Sequence, residues 1–409
     1  MTAAPSTVAT GAETLRAELA RITRQVWPVL LAGTLAGVAF VVLVPAGLPY
    51  DEPAHWLNVQ FYLGHGRMPT LGEPGTSYEA QMGPFAYVLY ALVAAPFHLL
   101  GADTAAFYAA RALGIAQLLV LALLLAAVAR RTVAIRPGVA IVATAAAVLN
   151  PMLLAVSTSV QNDTLALACG SAALLAVVER RPRPMHTAAL AGLLLGLALL
   201  TKVTAWPFVV ALGVLLLWQR RVRELLVMAL VTAVVSGWWF VRNLVLYGDV
   251  TARAGVEAAG YDFPALPDAS PMALAKSAVT YLWLPTEYVR NVIAAPAVID
   301  VLVAALTLAV AAGVVLMLRY RATRSPMPLL VIGTAMAAIA AWAAVAAVAQ
   351  AVAFRTAYPA MLLVHAAWGA CAFVGTRRAL VLAVVPLVTI DLWFLAHMVG
   401  LDVESMLVG

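Results

Sequence analysis

The chain has 409 residues, of which 64% are hydrophobic and only 11% charged, a balance that leaves a water-soluble domain too little polar surface to cover itself. The formal net charge of +6 is accounted for by arginine clusters between apolar runs, so it does not point to nucleic acid. The two cysteines, Cys169 and Cys371, lie inside apolar runs and read as packing residues rather than a disulfide framework or a thiolate metal site.

Apolar runs of roughly 20 residues recur along the chain, the length that crosses a bilayer as a helix. The first, 26–44, follows a basic stretch and lacks a small-residue cleavage site, so it is expected to remain as an anchor. Basic clusters follow at Arg16/Arg21/Arg24, Arg130/Arg131/Arg136, Arg180/Arg181/Arg183, Arg220/Arg221/Arg223, Arg319/Arg321/Arg324 and Arg377/Arg378. Cationic loops stay in the cytoplasm, which requires an even number of crossings between clusters. Three apolar runs separate the first two clusters, so one must not cross. The segment 84–100 is the shortest and carries Pro96 and His98, and it is expected to be a juxtamembrane or re-entrant helix. The remaining runs, 26–44, 106–129, 138–155, 165–178, 187–201, 204–218, 225–241, 298–317, 327–349, 357–374 and 379–397, predict an all-α membrane protein of about eleven transmembrane helices. It reads as a single transmembrane domain over 1–409 with a cytoplasmic N-terminus and no separate soluble domain. The clusters hold 17 of the 25 Lys+Arg. Carboxylates collect instead in two long loops expected outside, 46–105 and 242–297, far beyond the usual connection length.

The first of these loops opens on Asp51-Glu52-Pro53-Ala54-His55-Trp56. Proline suits a first helical turn and a preceding carboxylate suits its cap. Spacings of four and three bring Asp51 and Glu52 near His55, able to share a divalent cation or a proton. The same spacing also describes a plain N-cap beside a solvated histidine.

An Asp-Glu pair just after the first span resembles the signature of the GT-C superfamily of polytopic glycosyltransferases, such as the protein mannosyltransferases and aminoarabinose transferases. Tyr78-Glu79-Ala80-Gln81-Met82-Gly83-Pro84-Phe85-Ala86-Tyr87 is similar to the stretch that opens the juxtamembrane helix in many members, where His-Gln or a Lys precedes a Pro pair. Asn150-Pro151 with Gln161-Asn162-Asp163, Gly196 through Thr201-Lys202, Trp238-Trp239-Phe240-Val241-Arg242-Asn243 with Tyr247-Gly248-Asp249, and Phe354-Arg355 through Tyr358-Pro359 resemble later landmarks in the same order. The resemblance implies an inverting transfer of a monosaccharide from a polyprenyl-phosphate donor on the outer face of the cell membrane. It implies Asp51 and Glu52 as catalytic groups and candidate ligands of a divalent cation, magnesium or manganese. Substrate contacts would come from His55, Tyr78, Glu79, Gln81, Asn162, Asp163, Lys202, Arg242, Arg355 and Tyr358. The acceptor class it leaves is a lipid, a glycan or a small molecule.

Arg111, Lys202, Arg242 and Arg355 all fall near expected outer span ends, where a cation needs a partner or a wet cavity. A phosphate is one partner; a snorkelling side chain, or an ion pair with a carboxylate such as Asp163, is the other reading. The aromatics Tyr247, Tyr261, Tyr281, Trp283 and Tyr288 beside Asp249, Asp262 and Glu287 suit a carbohydrate cleft, but most of them, with Trp238 and Trp239, are expected in an interfacial belt. His365 and Asp391 fall inside late spans. A secondary transporter or lipid flippase is the rival class, and it requires an inverted repeat and charges near the bilayer midplane.

Overall fold

The computed structural model describes residues 15–48, 51–134, 136–178, 183–261, 270–285, 295–323, 325–349 and 354–399. Helix follows helix, and the one β-bridge among the described residues joins Val133 to Arg321. In lipid this is the expected outcome, because a helix satisfies its own backbone polar groups.

A deeply buried helix, α4 (Asp103–Thr132), has α1 (Leu15–Leu43) lying antiparallel against it. Small side chains allow close packing, as where Gly37 of α1 lies against Ile115 of α4. At one end of the pair Arg131 pairs with Glu18 and donates to Leu175 O at 3.2 Å. The turns beyond are tied to it: Ala134 N donates to Tyr320 O at 2.7 Å, Ala322 N to Thr132 O at 3.0 Å, and Arg136 covers the Phe373 ring at 4.6 Å. The basic clusters at 16–24, 130–136 and 319–321 therefore gather at one end, as their alternation with apolar runs requires. Arg180, Arg181 and Arg324 lie outside the described residues.

The opposite end holds α2 (Glu52–His65), which starts at Pro53 and stops at the left-handed Gly66, and α3 (Phe85–Leu99). At 15 residues α3 is about 22 Å long, short of a crossing. It turns at 100–102, with Gly101 at φ 71°, and folds back along the first half of α4. His98 Nδ1 meets Asp103 Oδ1 at 2.7 Å across that turn. Segment 84–100 thus stays near one end, the place the cluster parity demands.

Beyond this lie α5 (Pro137–Val148), α6 (Pro151–Ser157), α7 (Asp163–Val178), α8 (Pro184–Leu199), α9 (Trp206–Trp218) and α10 (Val222–Tyr247). After them come α11 (Arg253–Ala258), α12 (Pro271–Trp283), α13 (Ala297–Arg319), α14 (Met327–Ala349), α15 (Met361–Cys371) and α16 (Thr376–Met398). Among the described residues seven helices are long and apolar enough to cross, and α5 with α6, bent by 61°, makes an eighth if the bent pair is one span. The expected spans at 165–178, 187–201 and 204–218 appear as α7, α8 and α9, of 16, 16 and 13 residues, below the ~20 that a straight crossing needs. Eleven full-length spans are therefore not met by helix length. The bend after α5 is built by Asn150-Pro151: the proline starts α6, while Asn150 accepts from Leu153 N at 2.9 Å and donates to Leu282 O at 2.9 Å.

The interfacial belt is only partly observed. Trp238 is exposed, but Trp239, Tyr281 and Trp283 are buried. Trp283 packs edge-on against Trp368 with centroids 6.5 Å apart and donates to Thr307 Oγ1 at 3.0 Å. Tyr288, Asp262 and Glu287 lie outside the described residues. His365 is buried on α15 with Nδ1 on Met361 O at 2.8 Å, and Asp391 is buried on α16.

Candidate active site

Asp51, His55 and Glu79 come together at the end of the bundle opposite the arginines. All three are buried, and one ligand atom from each lies within 4.8 Å of the others. Asp51 occupies the N-cap position of α2 without a side-chain capping bond, so the plain capping reading fails. Its Oδ1 accepts instead from the Tyr78 hydroxyl at 2.8 Å. His55, one turn on, has Nδ1 at 2.7 Å from the Tyr87 hydroxyl and Nε2 at 3.7 Å from Glu79 Oε1. Tyr87 also donates toward Glu79 Oε2 at 3.4 Å.

Glu79 is delivered by a 3₁₀ turn, Tyr78–Gln81, capped by Ser77 Oγ accepting from Glu79 N at 3.1 Å. The turn is locked to α2 by Ser77 Oγ donating to Ala54 O at 2.8 Å and Asn58 Nδ2 donating to Glu79 O at 2.8 Å. Burial holds the Tyr87 hydroxyl well above its usual titration range, and the Glu79 charge adds to this. Tyr62 is raised by burial against the opposing charge of Arg242. Both phenols therefore remain neutral donors.

Glu52, expected beside Asp51, stands apart. Its Oε1 accepts from Arg111 Nε at 2.8 Å and from Val160 N at 2.9 Å; its Oε2 accepts from Gly47 N at 3.0 Å and pairs with Arg111 Nη2. Arg111 also donates to the carbonyls of Val41, Val44, Pro45 and Leu48 at 2.7 to 3.2 Å. These carbonyls end the first helix and its following turn, where no further helical turn exists to donate to them. The pair is thus a clamp joining α1, α2, α4 and the loop before Asp163, and Glu79 takes the place in the acidic cluster that the sequence suggested for Glu52.

A second feature lies nearby. Lys202 Nζ donates to both oxygens of Asp163, at 2.7 and 2.8 Å, and both residues are buried. This ion pair lines a small, partly open cavity whose other walls include Leu167, Phe208, Tyr358 and Pro359. Asn162 donates to Thr201 O at 3.4 Å. Cavity and acidic cluster are joined by a few residues: after Glu79, Gly83 packs so closely on Leu200 that a Cβ there would lie 2.0 Å from its carbonyl oxygen. Phe85 N donates to that same oxygen at 3.1 Å. Gln81, at the end of the 3₁₀ turn, is half-buried.

Arg242 donates to Pro69 O at 2.7 Å, covers the Trp239 ring at 4.7 Å and keeps Nη1 buried without a hydrogen-bond partner among the described residues. The two long loops meet here. Tyr247 Oη accepts from Leu71 N at 3.1 Å, and Tyr261 packs edge-on against Tyr78 at 5.7 Å. The side chain of Arg355 lies outside the described residues. Tyr87 closes the 78–87 stretch, and no motif there gives it a role. The available signal was the pair Tyr87 and Tyr90, three apart on an otherwise apolar helix and both buried.

The fold has solved counterparts. The oligosaccharyltransferase of Archaeoglobus fulgidus, crystallised with Zn and sulfate, superposes with a TM-score of 0.56 at 15% identity over 90% of this chain and 53% of that one. AglB of the same organism, in complex with an inhibitory peptide and a dolichol-phosphate, gives a TM-score of 0.54 at 16% identity over 92% and 56%. This chain therefore spans about half the length of those it matches. No curated protein matches it. A family model described as glycosyltransferase family 87 matches residues 84–338, beginning just after the turn that carries Glu79. That span is more than half of the sequence, and with the shared helical fold it places the chain in glycosyltransferase family 87, within the GT-C superfamily that the ordered motifs resemble.

Proposed function

We propose that this chain transfers a monosaccharide from a polyprenyl-phosphate donor to a lipid, glycan or small-molecule acceptor at the outer face of the cell membrane, with inversion at the anomeric carbon. The N-terminus lies in the cytoplasm. The observation that carries this reading is the buried Asp51–His55–Glu79 cluster, placed at the bundle end away from the arginines and beside an apolar cavity that holds Lys202. Basic residues kept on the cytoplasmic side put that end outside. The dolichol-phosphate bound by the fold neighbour supports a lipid-linked donor.

In this reading the acceptor hydroxyl oxygen attacks the anomeric carbon while the bond from that carbon to the phosphate oxygen breaks, its electron pair staying on the phosphate. The Asp51 carboxylate takes the hydroxyl proton, a role worth 10²–10⁴-fold in typical cases. Tyr78 orients that carboxylate, and Glu52 assists through the clamp that fixes the start of α2. Two carboxylates and an imidazole suit a divalent cation such as magnesium or manganese. In the alternative role for Asp51, that carboxylate would hold the ion together with His55 and Glu79, and the ion would supply Lewis-acid charge to the donor phosphate. Lys202 and Arg242 face the phosphate as point charge and fork; Arg355 joins them by its place in the sequence, and Tyr358 lines the cavity. His55, Gln81 and Asn162 complete the substrate contacts.

The test is release of polyprenyl phosphate from a lipid-linked sugar by purified protein in lipid, with Asp51→Asn as the variant. Turnover is expected to fall at least a hundredfold while folding and donor binding persist. Normal turnover in Asp51→Asn would remove it from the chemistry. Chelation that mimics the substitution assigns a metal role; chelation without effect assigns the base.

A further inference from the structure

The pairing of Lys202 has a chemical implication that goes beyond its place near the phosphate, and it rests on the donor class proposed above. Asp163 engages the ammonium through both carboxylate oxygens, at 2.7 and 2.8 Å, in a buried position at the wall of the cavity. An ammonium has three N–H donors. Two point at Asp163, which leaves one for a ligand, and the ligand meets a net neutral pair rather than a bare cation. The rest of the wall is largely apolar, with Leu167, Phe208 and Pro359, so the occupant it suits is an anionic head on a hydrocarbon chain.

The two lipids of the proposed reaction differ at that head. The donor is a phosphodiester with one negative charge. Breaking the bond to the anomeric carbon leaves the electron pair on phosphate oxygen, and the product is a monoester that carries a second negative charge near neutral pH. A lone buried lysine would hold the product more tightly than the donor and retain it after transfer. A lysine already shared with a carboxylate gains less from the extra charge.

We infer that Asp163 is a positioning residue that restrains Lys202 and so keeps the product polyprenyl phosphate from being held after transfer. The neutral pair admits the donor and stabilises the departing phosphate through one N–H, while the carboxylate competes for the ammonium and promotes release.

The test uses the full-length protein in lipid and measures the inhibition constant of polyprenyl phosphate together with the donor KM and kcat. In Asp163→Asn the product is expected to inhibit at least tenfold more strongly, with kcat lowered and donor KM not raised. A purely structural ion pair predicts the opposite, weaker binding of both lipids, and that result overturns the inference. Because Asp163→Asn leaves a buried lysine without its counter-ion, the double variant Asp163→Asn/Lys202→Gln is measured in parallel. It is expected to bind product more weakly than wild type, and product affinity equal to that of Asp163→Asn would overturn the inference. A chain that releases no polyprenyl phosphate at all refutes the donor class itself, a separate outcome from unchanged product affinity in an active enzyme.

Discussion

Removing Arg111 tests whether the clamp, rather than helix packing alone, fixes the end of the bundle that carries the candidate site. The side chain is fully buried and donates six hydrogen bonds, two to Glu52 and four to backbone carbonyls. In Arg111→Ala the Glu52 carboxylate stays in place with only the Gly47 and Val160 amides to stabilise its charge. Breaking one side of a buried ion pair costs about 3–5 kcal/mol, because the surviving charge is desolvated without compensation. At roughly 2.1 cal/mol/K per residue, unfolding 409 residues has an entropy of about 0.9 kcal/mol/K, so the midpoint should fall by about 3–6 °C. Thermal unfolding of purified protein in one fixed lipid or detergent measures this. The double variant Arg111→Met/Glu52→Leu should recover part of the loss, since a buried pair replaced by apolar groups is often neutral. A shift below about 1 °C in Arg111→Ala, or a double variant no more stable than the single, would refute the clamp.

Gly83→Ala should raise donor KM and lower stability by about 1–3 kcal/mol, as overpacking does, because its Cβ would lie 2.0 Å from Leu200 O; steady-state kinetics and a melt check both. Glu79→Gln should weaken divalent-cation binding, measured by calorimetry, more than Glu52→Gln does, because Glu79 and not Glu52 shares the cluster. Tyr87, raised above the ordinary value of 10.0 by burial, should stay un-ionised at pH 10 to 11 while exposed tyrosines titrate, which ultraviolet difference absorbance reads. The sign is that of an acid with a raised folded pKa: its contribution to stability is complete below the unfolded value and is lost as pH climbs through the folded one. Tyr87→Phe should remove that part of the alkaline destabilisation. An impermeant reagent applied from outside should label a cysteine at Met68 and spare one at Arg220; the reverse pattern would invert the proposed topology.

The helical class and the shortness of the 84–100 segment were legible because apolar run length is a one-dimensional signal. The ends of α7, α8 and α9 were not, since apolar residues continue through the turns that terminate them and composition does not mark where a helix stops. At the site, Asp51 and His55 were legible from helical spacing. The partner of Glu52 is not legible in the sequence, because adjacent residues on a helix point about 100° apart and its direction differs from that of Asp51. That partner, Arg111, lies 59 positions away. Lys202 with Asp163 was foreseen as the alternative to a phosphate, but sequence could not show that the pair also borders a cavity.

The two ion pairs that bracket the central helices have a further consequence. Arg111 and Arg131 sit on the same helix, α4, twenty positions apart, about 30 Å along its axis and equal to the thickness of a typical hydrocarbon layer. Arg111 pairs with Glu52 of α2 and holds the end of α1 through its carbonyls, while Arg131 pairs with Glu18 of α1, so the two charged ties on α4 are separated by about one hydrocarbon thickness. The distance is set by a rigid helix and cannot stretch when the surrounding acyl chains lengthen. Reconstitution into a series of lipids should therefore give an activity optimum at one chain length. Thicker bilayers would draw the Glu52 clamp, and Asp51 with it, below the headgroups, and on the proposed function would take the site away from its acceptor.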